Sequence, residues 1–334
     1  MQREGDLKLP GGENRMGSIS LLIALLIELF SSQPASHGEE LSYKILYTAK
    51  AGDGFWHLFL ANPDGSGITQ LTRGPFDDGY PCWSPDGEKI AFLSRRGAPA
   101  NDLFIMNSDG TGMKNVTRTP TLWESYPDWS PDGRKLVFCA KNALYVLDLE
   151  TGERRKIPNT DWGFKPRWSP DGRRIVFVID VKGNFDIAIV DVEGGKRINL
   201  TDHPAIDDWP TFTPDGSKVV FVREARGRWG LFSLDLKSKK VEEIGIPDPR
   251  LSVWMPDISP DGRRVVFLGT ESPGVRPWRI YVMDLLRRDL RRLNPSGGEE
   301  WSPRWSPIPV KMSLTPLDKE LTLWGMLKRW MWRR

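Results

Sequence analysis

Cysteine and histidine are scarce in this chain. Cys82 and Cys139, with His37, His57 and His203, are all that 334 residues provide. That count excludes a cysteine-rich zinc site and a disulfide-stapled scaffold. A dominant charge of one sign is lacking as well. The 47 basic residues against 44 acidic ones leave +3, without the basic excess of a dedicated nucleic-acid binder. The apolar run Ile19–Ile27 is broken by Glu28, well short of the roughly 20 residues a spanning helix needs. No Gly-x-Ser-x-Gly nucleophile turn occurs. What is abundant is 15 Trp, 32 Gly and 27 Pro, a composition of short strands and tight turns.

The short apolar run has Arg15 before it and the small residues Ser31–Ser36 after it. This order resembles a secretory signal peptide over residues 1–36, with cleavage near Ala35 or Ser36 and Met16 as a candidate start. The expectation is an exported protein, soluble once processed.

An internal repeat organises the rest. Trp-Ser-Pro-Asp-Gly stands at Trp83–Gly87, Trp129–Gly133 and Trp168–Gly172. Variants begin at Phe212 and Ile258, and a truncated copy spans Trp305–Pro307. The spacing of 39 to 47 residues is that of a propeller or solenoid. Each copy reads as four short strands, here a to d, rich in Val, Ile, Phe and Tyr and without helical spacing. Ser-Pro-Asp-Gly is the a–b hairpin turn: Pro presets φ, Asp tolerates the next position and Gly supplies positive φ. Its Asp is therefore a turn residue before it is a catalyst. The first unit begins at strand b (Tyr43–Tyr47) and the last ends at strand a (Pro303–Pro307). The half-units complete one another if the C-terminal strand pairs with the N-terminal blade, giving a closed all-β, six-bladed propeller over residues 43–310.

The phrase Pro-x-Trp-Ser-Pro-Asp-Gly-x-x-Ile/Val-x-Phe, followed by a strand like Ile280–Asp284, resembles the repeats of the TolB-like propeller family over residues 43–307. The resemblance implies a periplasmic propeller that binds other envelope proteins. The N-terminal α/β domain of that family is expected to be lacking, because few residues separate the signal from the first strand. Propellers of this type also front prolyl-oligopeptidase-like peptidases, whose hydrolase domain has no counterpart here.

Two places on such a ring could carry function. The d–a connections bear Asp78, Glu124, Asp161, Asp207 and Glu300, with Trp209, Trp254 and Trp301 beside them. They read as an acidic, aromatic-rimmed mouth suited to a cation, a basic peptide or a sugar, or else as turn caps paired with arginines. The residue after each strand-a proline (Cys82, Asp128, Arg167, Thr211, Asp257, Arg304) reads as a ring lining the channel. Its Asp128, Arg167, Asp257 and Arg304 either meet a ligand or neutralise one another. The b–c loops add a basic rim of Arg95, Arg96, Lys182, Arg223, Arg226, Arg228, Arg276 and Arg279.

The functional expectation is a non-enzymatic, monomeric binding module of the cell envelope. It would engage a protein partner or small ligand through the channel-mouth loops, without nucleic acid and without a cofactor, though a channel calcium would be compatible. The alternative is a metal-assisted hydrolase or lyase using that mouth and His203, its metal ligands otherwise unassigned. Residues 314–334 leave the repeat: Leu317, Leu321, Trp324, Leu327 and Met331 follow helical spacing. This basic, Trp-rich tail suits a membrane surface or a partner groove.

Overall fold

A computed structural model describes residues 43–308, apart from 97–99, 120–121, 226, 273–277 and 294–297. The signal-like segment, the C-terminal tail, Arg226 and Arg276 lie outside the described residues.

The described chain forms six four-stranded antiparallel sheets and no helix. Blade 1 joins β1 (Ile45–Lys50), β2 (Trp56–Ala61) and β3 (Thr69–Gln70) to the last strand of the chain. Blade 2 runs β4 (Asp78–Trp83), β5 (Lys89–Ser94), β6 (Asp102–Asn107) and β7 (Lys114–Asn115). Blade 3 runs β8 (Ser125–Trp129), β9 (Lys135–Ala140), β10 (Ala143–Asp148) and β11 (Arg154–Lys156). Blade 4 runs β12 (Gly163–Trp168), β13 (Arg174–Val181), β14 (Asn184–Asp191) and β15 (Ile198–Asn199). Blade 5 runs β16 (Asp207–Phe212), β17 (Lys218–Ala225), β18 (Arg228–Asp235) and β19 (Val241–Ile244). Blade 6 runs β20 (Ser252–Ile258), β21 (Arg264–Thr270), β22 (Arg279–Asp284) and β23 (Leu290–Arg292), and β24 (Glu300–Trp305) returns to blade 1.

Closure follows the expected register. β24 lies antiparallel to β1, with Ile45 opposite Trp305 and Ala49 opposite Glu300. Beyond the ladder, Ser306 N donates to Lys44 O at 2.8 Å and Lys44 N to Ser306 Oγ at 2.9 Å. Joining the two ends this way removes the long free edges an open array would present.

The core repeats with the blades. The middle of each strand b buries one ring: Tyr47, Phe92, Phe138, Phe177, Phe221 and Phe267. Five of them lie against an aromatic of strand c, from Tyr47–Phe59 at 5.6 Å to Phe221–Phe232 at 6.0 Å between centroids. Phe177 instead stands opposite Ala188. Burying each such side chain is worth about 1.5–3 kcal/mol.

The Ser-Pro-Asp-Gly turns are closed units. In the first, Ser84 Oγ donates to Asp86 Oδ1 at 2.6 Å, which also accepts Glu88 N at 2.9 Å, and Lys89 N donates back to Ser84 Oγ at 2.8 Å. The same bonds recur around Asp132, Asp171, Asp215 and Asp261. Successive turns also touch: a Cβ on Gly133 would meet Pro85 at 3.6 Å, and one on Gly172 would meet Pro131 at 3.7 Å. The a–b and c–d turns thus form one face of the disc, and the b–c loops and d–a connections form the other.

Candidate functional site at the two ends of the channel

Strand a of every blade carries the same irregularity. Its ladder to strand b slips just before the proline, for example between Ser125 and Asp128 and between Asp208 and Thr211. The residue preceding the proline is left-handed in all six blades: Tyr80, Tyr126, Lys165, Trp209, Met255 and Ser302, with φ between 49° and 55°. This is a β-bulge, where a proline without an N–H leaves no ladder bond unmade. Left-handed φ is costly for a residue with a Cβ, and it recurs because it turns the side chain toward the axis.

Those six side chains converge and plug the channel on the loop side. Tyr80 meets Tyr126 edge-on at 4.8 Å, and Tyr126 meets Trp209 at 5.5 Å, reaching from blade 3 to blade 5. Ser302 Oγ lies 3.6 Å from Met255 Sδ. Lys165 adds a buried cation: its Nζ bonds both carboxylate oxygens of Asp208 at 2.7 Å and sits 4.1 Å from the Trp209 ring centroid. Burial raises the Asp208 carboxyl and lowers the Lys165 ammonium from their ordinary values, so each depends on the other to remain charged.

From this plug an aromatic seam runs outward across blades 5, 6 and 1. Trp209 and Trp254 are 6.4 Å apart, Trp254 and Trp229 4.8 Å, Trp254 and Trp278 5.6 Å, and Trp278 and Trp301 6.4 Å. Trp229, Trp254 and Trp301 remain half-exposed, while Trp209 and Trp278 are buried.

The acids do not form the open mouth expected of them. Asp78, Glu124, Asp207 and Glu300 stand three residues before their prolines and are at most 1% exposed. Arg96 holds Asp78 at 2.5 Å, and Arg223 holds both oxygens of Asp207 at 2.6 and 2.8 Å. Glu124 accepts from Leu103 N at 3.0 Å, Thr117 Oγ1 at 2.6 Å and Thr119 Oγ1 at 2.9 Å. Glu300 accepts Ile280 N at 3.0 Å. Both glutamates cap an amide at the start of strand c; Thr72, Thr160 and Thr201 cap the corresponding amides of blades 1, 3 and 4, and Ser252 caps Trp229 N of blade 5. Asp161 stands five residues before its proline, out of phase with the others. It emerges exposed at the outer edge of the ring, paired at 2.6 Å with Lys156 of the outermost strand β11. The basic rim is drawn in too. Besides Arg96 and Arg223, Arg228 donates to Pro249 O, Arg279 to Gly298 O, and Arg95 stacks 5.2 Å from Trp123.

The ring after the prolines does assemble. Cys82, Asp128, Arg167, Thr211, Asp257 and Arg304 surround one cavity of about 230 Å³. It opens among Pro85, Pro131, Pro170, Pro214, Pro260 and Pro307, on the turn face rather than the loop face. Asp257 is its centre: Oδ1 takes Arg167 Nη2 at 2.6 Å and Arg304 Nη1 at 3.4 Å, while Oδ2 accepts Trp305 N at 2.9 Å. Asp128 Oδ2 likewise accepts Trp168 N from the next blade at 2.9 Å. The two acids neutralise two arginines and latch neighbouring blades together.

The family model for the TolB beta propeller domain matches residues 101–307. The chain belongs to this family. Among solved structures, TolB from Acinetobacter baumannii is similar at 23% identity and a TM-score of 0.69, over 90% of this chain and 74% of that one. A putative TolB from Agrobacterium tumefaciens is similar at 21% identity and a TM-score of 0.62, over 80% and 99% of the two chains. An oligogalacturonate lyase from Vibrio parahaemolyticus shares the fold at 18% identity and a TM-score of 0.55, over 75% and 73%. No curated protein matches the sequence significantly.

In this TolB-family propeller the remaining chemical candidates are engaged locally. His203 Nδ1 accepts Ala205 N at 2.9 Å, and its own N–H reaches Asp186 at 3.3 Å, so it shapes the d–a turn. His57 is buried with Nε2 2.9 Å from Asp53. Cys82 and Cys139 are both free and buried, and burial raises both thiols. Among the described residues no group of three His, Cys, Asp or Glu side chains is arranged to hold a metal ion. Sequence reasoning missed Lys165, Met255 and Ser302 in the plug and Trp229 and Trp278 in the seam. The signal for the first three was their shared place before the proline.

Proposed function

We propose that this TolB-family propeller is a non-enzymatic, exported binding module that engages a protein partner of the cell envelope through its loop face. The observation that carries the reading is the half-exposed aromatic seam of Trp229, Trp254 and Trp301, backed by the buried Trp278 and Trp209. Rigid aromatics on a fixed floor supply large contact area at small entropic cost, the composition of binding hot spots. Four of the five acids, which would have suggested a charged ligand, are consumed inside the blades, and Asp161 pairs with Lys156 at the outer edge.

The test is retention of envelope proteins by immobilised full-length protein, its Trp254→Ala variant and the turn-face variant Asp132→Ala. A retained partner should weaken about tenfold or more on Trp254→Ala and bind Asp132→Ala as it binds the parent. Retention insensitive to Trp254, or lost equally on Asp132→Ala, overturns the reading. Far-UV circular dichroism spectra that match the parent's at the assay temperature show that each variant is folded where retention is measured.

A further inference from the structure

Trp162 is placed where neither packing nor backbone geometry explains it. Its side chain is 61% exposed, and its φ of 64° lies in the region where a Cβ is strained. Among the described residues the other strongly exposed tryptophan, Trp123 at 60%, is covered by the Arg95 guanidinium. Trp162 is nonetheless held rigidly. Its N–H donates to Asn142 O at 2.6 Å, its carbonyl accepts Asp180 N at 3.1 Å, and Gly163 N donates to Thr160 O at 2.9 Å.

The ring walls a concave site of about 480 Å³ on the outer side of blade 4, within the range of small-ligand pockets. The opposite wall is the β13–β14 hairpin, whose strands have eight residues where those of blades 2 and 3 have six. That extension carries Val181, Lys182 and Gly183 to the site, with Asp180 and Arg197 completing it. Asp180 spends Oδ1 on Gly183 N at 2.7 Å, leaving Oδ2 to accept a hydroxyl. Lys182 and Arg197 make no ion pair among the described residues.

We infer that this is a saccharide site, and that it takes a sugar carrying a carboxylate. One open aromatic ring offers its face to the C–H surface of a pyranose. Asp180 accepts a hydroxyl hydrogen, and the unpaired cations Lys182 and Arg197 suit the acid group. A protein surface would instead meet a contiguous apolar patch, and the carboxylates of Asp161 and Asp180 beside the ring oppose the dianionic phosphate of a nucleotide more than the single charge of a sugar carboxylate. The site is separate from the aromatic seam and stands or falls without it.

Calorimetric titration of the full-length protein with a glucuronate-containing hyaluronan tetrasaccharide, with neutral cellotetraose and with AMP tests the assignment. Binding of the acidic tetrasaccharide is expected, with cellotetraose weaker by about tenfold. Trp162→Gly should abolish that binding while raising the thermal midpoint, because glycine relieves the left-handed strain. Arg197→Ala should weaken it, and Trp123→Ala should leave it unchanged. Absence of binding at millimolar sugar, equal affinity for both sugars, preference for AMP, or binding that survives Trp162→Gly each overturns the proposal.

Discussion

The two faces of the disc are built on opposite terms. On the turn face a Ser or Thr, an Asp and a Gly make the same bonds in blade after blade, and adjoining turns touch through Gly and Pro. On the loop face no two d–a connections are alike, although each leads into the same left-handed bulge. A repeated residue answers a requirement common to all blades, which is structural. A variable residue held by a repeated backbone device is free to be chosen for something else. The turn face therefore closes the ring, and the loop face is where selection for a partner can act without disturbing the sheets.

The channel blurs this division, because the charged ring beneath the turns is variable yet structural. Asp257 gives the strongest way to break the comparison. Asp257→Ala leaves Arg167 and Arg304 facing each other without their shared acid and frees Trp305 N, on the strand that closes the propeller. Removing one partner of a buried ion network costs about 3–5 kcal/mol. A fall of that size in denaturant unfolding is expected. A loss below about 1 kcal/mol would make the ring dispensable to folding and reopen it as a ligand site.

A smaller effect of opposite sign tests the repeat itself. Five blades bury Phe in the middle of strand b, and blade 1 buries Tyr47, whose hydroxyl has no hydrogen-bond partner. Burial also raises that phenol above its ordinary value. An unsatisfied buried hydroxyl costs about 1–3 kcal/mol, so Tyr47→Phe should raise stability by roughly that amount. Loss of stability would mean that the hydroxyl serves blade closure in a way the other blades do not share.

The fold was legible because its determinants are local and repeated. The turn phrase marks every a–b hairpin, and a half-unit at each end dictates closure. The site was only half legible, for a reason lodged in the bulge. Sequence assigns Asp207, Asp208 and Trp209 to one connection. The left-handed step at Trp209 sends its ring to the axis, while Asp207 turns into the blade toward Arg223. Proximity in the chain suggested one acidic, aromatic mouth, and the backbone separated its two components. The phase of the acids relative to the proline was available all along, and it divides Asp161 from the four that are buried.

Acid titration sharpens the contrast most finely. On the turn face, hydrogen bonds from the Ser or Thr hydroxyls lower the carboxyls of Asp86, Asp132, Asp171 and Asp215, and Asp261 is lowered too. A lowered acid stabilises the fold above its unfolded value of about 4 and loses that contribution as pH falls through the folded value. Asp132→Ala should therefore cost about 1 kcal/mol at pH 7, and its curve should converge with the parent's below about pH 4. On the loop side, burial raises Glu124. Its contribution is present at low pH and is lost as pH climbs from the unfolded value through the folded one. Relative to Glu124→Gln, the parent should gain stability as pH falls from 7 toward 4, opposite in sign to the Asp132 pair. If the Glu124 parent instead loses stability relative to Glu124→Gln as pH falls, the Glu124 cap behaves like a turn aspartate and the electrostatic distinction between the faces is lost.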